Sequence, residues 1–150
     1  MTADDYATAL HAALATTDTE VRRRLVLIAD AAAAASVDMI VLDVFLDDDA
    51  EGPFDVWARF EGESVFVTQQ RLGEDRHLVD IAWTEDGWTL DVPARPQSWS
   101  REALLDAIID VVAGWLSGLI PSGGDGIVWT LETPDGETDP RELPSPEAAG

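Results

Sequence analysis

The sequence predicts an α+β domain in which two N-terminal helices and one long C-terminal helix pack on one face of an antiparallel sheet of about five or six strands. Three observations carry that expectation. Ala, Leu and Val recur at helical spacing through the first third, with no Gly or Pro before Gly52. From Val37 the pattern changes to a period of two, rich in β-branched and aromatic residues. Beyond Pro93 and Pro96, an apolar stretch at 100–119 returns to the helical period.

The first helix takes Asp4 or Thr2 as its cap and carries Tyr6, Leu10 and Leu14 on one stripe. Thr17-Asp18-Thr19-Glu20 has the capping-box spacing for a second helix, whose apolar face runs through Val21, Leu25, Ile28 and Ala32. Small side chains at Ala31 to Ala35 permit close approach to a neighbour. Strands are expected near 38–46, 54–61, 64–71, 77–84 and 88–92. Their links are short and acidic or Gly-containing, which favours an antiparallel meander, because parallel neighbours need long crossovers. In the long helix Glu102, Asp106 and Asp110 make one narrow polar stripe, continued by Gly114 and Gly118 as a small-residue patch suited to close backbone contact. Pro121 to Gly126 then turns the chain into a last strand, 127–133. One domain over 1–133 is expected, followed by a disordered acidic, Pro-rich tail at 134–150. No repeat of solenoid or propeller length is present.

Thirty Asp and Glu stand against nine basic residues, a net charge of −21 and a pI near 4.1, and every basic residue is Arg. Nucleic acid is an unsuitable partner, since phosphate contacts need basic patches. The start, Met1-Thr2-Ala3-Asp4-Asp5, has no signal-like pattern and no apolar run approaches membrane-spanning length, so the expectation is a cytoplasmic protein with no membrane role. With no Cys, thiol nucleophiles and cysteine metal sites are excluded, and two His leave little for imidazole catalysis or zinc. Part of the charge can serve as a solvent device, because a carboxylate-rich, lysine-free surface also suits high salt. The acids concentrate in the middle: residues 38–92 hold fifteen of them and three Arg.

Residues 43–63 carry eight acids and Arg59 alone among bases. Asp47, Asp49, Glu51 and Gly52 reproduce the first, third, fifth and sixth positions of a calcium loop, where alternating oxygens surround the ion and Gly allows the turn. Ca or Mg is therefore the cofactor to consider, with Asp47, Asp49 and Glu51 as its ligands. The twelfth position is Ala58 instead of a bidentate carboxylate, and the flanks read as strands; an acidic hairpin tip is the plainer reading. No nucleophile elbow, phosphate loop or metal-ligand His pair supports an enzyme. His77 follows Asp75-Arg76 at a strand entrance and could be read as a general base, although lone histidines are more often structural; nothing accompanies His11 on its Ala-rich helix.

Alternation along 54–61 places Phe54, Val56, Ala58 and Phe60 on one face and Asp55, Trp57, Arg59 and Glu61 on the other. The preceding strand divides as Ile40, Leu42, Val44 and Leu46 against Met39, Val41, Asp43 and Phe45. If the first sets face the helices, Asp43, Asp55, Trp57 and Arg59 share the opposite face. Trp and Arg are over-represented in binding hot spots, so these four are the candidate binding residues; a second covering layer over Trp57 is the competing reading.

Asp43-Val44-Phe45, the acidic link after it, Phe54-Asp55-Val56-Trp57-Ala58-Arg59, and Arg76-His77-Leu78 followed by an apolar helix ending near Trp115-Leu116 resemble a family of small acidic actinobacterial proteins of unknown function. The similarity spans residues 38 to 120 and implies a source without an activity. The functional expectation is a non-enzymatic acidic interaction protein, an immunity-type or inhibitor protein for a basic partner, with a homodimer as a further option. Its alternative is a divalent-metal-binding protein or metal-dependent enzyme using the Asp47–Glu51 loop.

Overall fold

The computed structural model describes residues 2–46, 51–62, 67, 70, 72–81, 83–90, 92–121, 127–133 and 139–143. Helix α1, Ala3–Ala15, starts on a capping box: the Thr2 hydroxyl accepts from Asp5 N–H and the Asp5 carboxylate accepts from Thr2 N–H, each at 3.1 Å. The backbone and hydroxyl bonds to Thr2 hold the Asp5 carboxyl below the usual range. Helix α2, Asp18–Ala34, has no such box. Only Thr16 and Thr17 separate the two helices, Thr17 is not extended (φ −104°, ψ 6°), and its hydroxyl donates back to Leu14 C=O at 2.7 Å. Glu20, expected to complete a box, instead pairs with Arg23 and Arg24. Helix α2 closes where Ser36 enters the left-handed region (φ 58°) and Val37 N–H reaches Ala32 C=O, the end motif usually taken by Gly.

Strands β1, Met39–Leu46, and β2, Phe54–Phe60, pair antiparallel, and β2 pairs antiparallel with β3, His77–Val79, across an irregularity at Val56 and Trp57. A 3-10 turn, Gly73–Arg76, leads into β3. Strands β4, Trp83–Thr84, and β5, Gly87–Trp88, make a separate two-stranded hairpin. Helix α3, Arg101–Ser117, is capped by the Ser100 hydroxyl, and β6, Val128–Glu132, and β7, Arg141–Leu143, follow. The main sheet has the order β3-β2-β1-β6-β7.

That order corrects the expected all-antiparallel sheet, because β1 and β6 are parallel. The short-link argument applies to β1 and β2; β2 and β3 are antiparallel as well, but residues 61–76 lie between them. It did not extend to β6, which returns to β1 only after α3, and such a long connection is what a parallel neighbour requires. Of the strand expected at 64–71, the described positions, Val67 and Gln70, have helical backbone instead. Within the expected tail, Arg141–Leu143 forms β7, which pairs with β6, and Leu143 is buried opposite Trp129.

One apolar cluster joins the stripes of the helices to one side of the sheet. It takes Tyr6, Leu10 and Leu14 from α1; Val21, Leu25 and Ile28 from α2; Leu104, Ile108, Val112 and Leu116 from α3; and the even-numbered residues of β1 and β2. Trp115 is anchored by donating from Nε1 to Asp18 at 2.7 Å, which ties α3 to the start of α2. No helix among the described residues is long and apolar enough to cross a membrane.

Candidate functional site

The β1–β2 register sets Phe45 against Asp55, Asp43 against Trp57 and Val41 against Arg59. Since Phe54, Val56, Ala58 and Phe60 are buried in the core, Asp55, Trp57 and Arg59 project from the opposite face together with Asp43 and Phe45. The structure thus brings Asp43, Asp55, Trp57 and Arg59 onto one surface. Their contacts divide them into two groups.

In the first group, Arg59 Nε donates to Asp43 at 2.8 Å, while its terminal nitrogens lie 3.2 Å from Glu61 and 3.9 Å from Glu132 on β6. Asp43 is only 7% exposed, and its second carboxylate oxygen has no hydrogen-bond partner among the described residues. Burial acts to lower the Arg59 guanidinium, but its hydrogen bond to Asp43 and the charges of Asp43, Glu132 and Glu61 outweigh that and raise it. Arg59 is therefore committed to three acids of its own chain, which weakens its case as a hot spot reaching for a partner. Val41 and Thr130, side by side in the parallel register, are also buried on this face, so its centre is closed to solvent while Phe45 at one end is not.

In the second group, Trp57 is half-buried and stacks on His77, with ring centroids 3.6 Å apart and planes 12° from parallel. The Arg76 guanidinium carbon lies 4.7 Å from the Trp57 ring, and Arg76 Nε donates to Ala58 C=O at 3.0 Å. Burial lowers the Arg76 guanidinium and the nearby Asp43 charge opposes it. His77 Nε2 is 2.9 Å from Asp55, and Nδ1 is 3.9 Å from Asp80. Trp57 is neither an open hot spot nor a core residue: it is a platform that fixes the plane of His77.

His77 and Asp80 lie outside the four residues that alternation selects. The 22-residue gap between Asp55 and His77 is closed only by the β2–β3 pairing, which includes an irregularity that a pattern of period two does not reveal. A partial signal existed, because His77 sits at a strand start two residues after an acid and three before another.

Of the acidic loop, Asp47, Asp48, Asp49 and Ala50 lie outside the described residues. Glu51 is exposed, and its carbonyl accepts from Arg95 N–H at 2.9 Å. Gly52 has a structural reason of its own: φ is +143°, and a Cβ there would stand 2.8 Å from Pro93 O. Among the described residues, the group able to hold a metal ion is Asp55, His77 and Asp80, whose ligand atoms lie within 4.8 Å of one another. A groove of about 690 Å³ also runs between α1 and α3, lined by Ala7, His11, Asp110, Val111, Gly114 and Trp115 among others. A Cβ on Gly114 would meet nothing within 4 Å, so Gly114 opens this groove instead of making the expected close backbone contact.

The chain belongs to a family of unknown function (DUF6389), which it matches over residues 1–147. That span includes both helices before β1 and the β7 segment, beyond the 38–120 core of the resemblance noted above. No curated protein and no solved structure matches the chain significantly.

Proposed function

We propose that this protein is a non-catalytic binding module that engages a basic protein partner through the sheet face opposite the core. The observation that carries the reading is Phe45, a large apolar side chain left 42% exposed on that face, directly across from Asp55 and two register positions from the Asp43–Trp57 pair. An exposed aromatic beside a carboxylate suits a surface that presents Arg or Lys next to an apolar pocket. The net charge of −21 would speed encounter with such a partner at low salt. An immunity-type or inhibitor role against a basic protein is the most specific form of this proposal. Its site differs from the four-residue expectation in emphasis: Phe45 and Asp55 supply contact, while Asp43 and Arg59 hold the surface together.

The test is capture from cells that produce the protein, using immobilised wild type and Phe45→Ser. A basic protein retained by wild type, released as ionic strength rises toward about 0.5 M and not retained by Phe45→Ser is the expected result. Retention indifferent to both salt and the substitution, or recovery of only a second copy of this chain, overturns the proposal.

A further inference from the structure

We infer that Asp55, His77 and Asp80 form a binding site for a divalent transition-metal ion of the zinc type, at the edge of the main sheet where β3 follows β2. Three ligands converge here from two backbone segments: Asp55 from β2, and His77 and Asp80 from the first residue of β3 and the residue just past its end. One ligand atom from each falls within 4.8 Å of the others.

The site closes by rearrangement of one exposed side chain, Asp80. Ligand atoms bound to one zinc ion at about 2.0–2.2 Å stand roughly 3.0–3.6 Å from each other. Asp55 faces Nε2 at 2.9 Å and Asp80 faces Nδ1 at 3.9 Å, so a single ion takes one ring nitrogen: on Nε2, the Asp55 separation opens slightly and the Asp80 carboxylate swings over from the Nδ1 edge. Asp80 has the freedom to do so, because its side chain is 65% exposed, whereas His77 is 15% and Asp55 33% exposed. The two better-buried ligands are fixed and the third is the closing arm.

Stacking settles how the imidazole is presented. With Trp57 lying 3.6 Å from the His77 ring and nearly parallel to it, one ring face is covered and the ring cannot flip out without losing that contact. The nitrogen lone pairs lie in the ring plane, so a stacked histidine still offers its edge to an ion. Arg76, which packs on Trp57 and is tied to Ala58 C=O, braces the platform from within the chain. Two carboxylates and one imidazole exceed the charge of a single divalent ion by none, so the site is neutral when filled. The imidazole favours zinc, cobalt or nickel over calcium and magnesium, which prefer all-oxygen shells. This separates the site from the acidic loop at 47–51, whose chemistry is that of calcium. Three protein ligands leave at least one position of a tetrahedral ion for water or for an outside ligand.

The experiment is calorimetric titration of the full chain, freed of metal by chelator and dialysed into 150 mM salt, with zinc chloride, and in parallel with magnesium and calcium chloride. One zinc ion per chain is expected, with saturation at a concentration at least about tenfold below any response to magnesium or calcium. His77→Ala should abolish the zinc response, and Asp80→Asn, at a largely exposed side chain, should weaken it by about tenfold or more with unchanged circular dichroism. His11→Ala is the control for the other histidine and should bind as wild type. Absence of saturable zinc binding overturns the inference and leaves Asp55–His77 as a structural contact. Binding undiminished in His77→Ala or Asp80→Asn, or equal for calcium and zinc, places the ion elsewhere and overturns it equally. If His77→Ala does not fold, Asp80→Asn alone decides.

Discussion

The two faces of β1 and β2 are made by the same fifteen residues and hold together by different physics. Toward the helices, Ile40, Leu42, Val44, Phe54, Val56, Ala58 and Phe60 are all at most 2% exposed, and their contribution is apolar area removed from water. That contribution is non-directional. On the other face Val41 and Asp43 are buried at the centre, Phe45 is exposed at one end, and Asp55, Trp57 and Arg59 stand between, each held by a specific partner. Directional contacts keep geometry, whereas area keeps volume. Substitutions should therefore act on the core face through lost packing and on the outer face through stranded charges or lost ligands.

The largest expected effect breaks the core face. Phe60 is fully buried at the end of β2 that pairs with Ile40. Phe60→Ala should lower unfolding free energy by about 3–5 kcal/mol, read by denaturant melts with an unchanged m-value. A loss below 1 kcal/mol would mean that the core collapses around the vacancy. On the outer face Arg59→Ala comes next. It removes the donor to Asp43, a carboxylate already 7% exposed with its other oxygen unpartnered among the described residues, and should cost about 2–4 kcal/mol. The double variant Asp43→Leu, Arg59→Met should recover most of that loss, since what destabilises is the stranded charge and not the missing bond. If the double variant is no more stable than Arg59→Ala, the pair itself organises the face.

The core face was legible because period-two alternation needs only the residues of one strand. Phe54, Val56, Ala58 and Phe60 sort themselves without knowledge of any neighbour, and the apolar stripe of α3 from Leu104 to Leu116 sorts itself the same way at its own period. The outer face was legible only in part. Asp43, Asp55, Trp57 and Arg59 were placed on one side by alternation, but which of them pair depends on register, and register is a property of two strands. Arg59 looked available and is taken by Asp43; His77 looked alone and meets Asp55 across β2 and β3. The parallel placement of β6 was hidden for the same reason, as was β7, where the local composition of Arg141-Glu142-Leu143 gives way to one buried leucine opposite Trp129. Non-local pairing overrides local composition wherever a short segment completes an open sheet edge.

Each face also buries one polar atom with no partner among the described residues: the carboxylate oxygen of Asp43 outside and the hydroxyl of Tyr6 inside the core cluster. The Tyr6 hydroxyl makes the inner face sensitive to pH. Burial pushes its hydroxyl up to about 12 from an ordinary value of 10.0. Between those values the native state keeps a proton that the unfolded chain has lost, so stability falls as pH rises. The contribution is fully present below pH 10 and is lost through pH 12, amounting to roughly 2–3 kcal/mol at most. Tyr6 is the chain's single tyrosine, so phenolate absorbance in an alkaline titration reads this group alone. Tyr6→Phe should remove that alkaline loss and leave neutral stability within about 1 kcal/mol of wild type. A hydroxyl titrating near 10 in the folded protein would show that water reaches the core at α1.

The smallest expected effect on stability falls on Phe45, and its smallness is what makes the residue informative. Phe45 lies on β1 between Val44, 1% exposed, and Leu46, 9% exposed, yet it is itself 42% exposed because alternation turns it away from the helices. Replacing it with Ser gives up only the covered part of the ring, so the melting curve should move by the equivalent of about 1 kcal/mol. A core residue one position along the same strand, Val44→Ser, should lose several times more. If Phe45→Ser costs folding only that much and still abolishes partner capture, the outer face carries the function while the inner face carries the fold. If Phe45→Ser instead destabilises as much as Val44→Ser, the side chain is covered in solution, and the face proposed for binding is already occupied by the chain's own second layer.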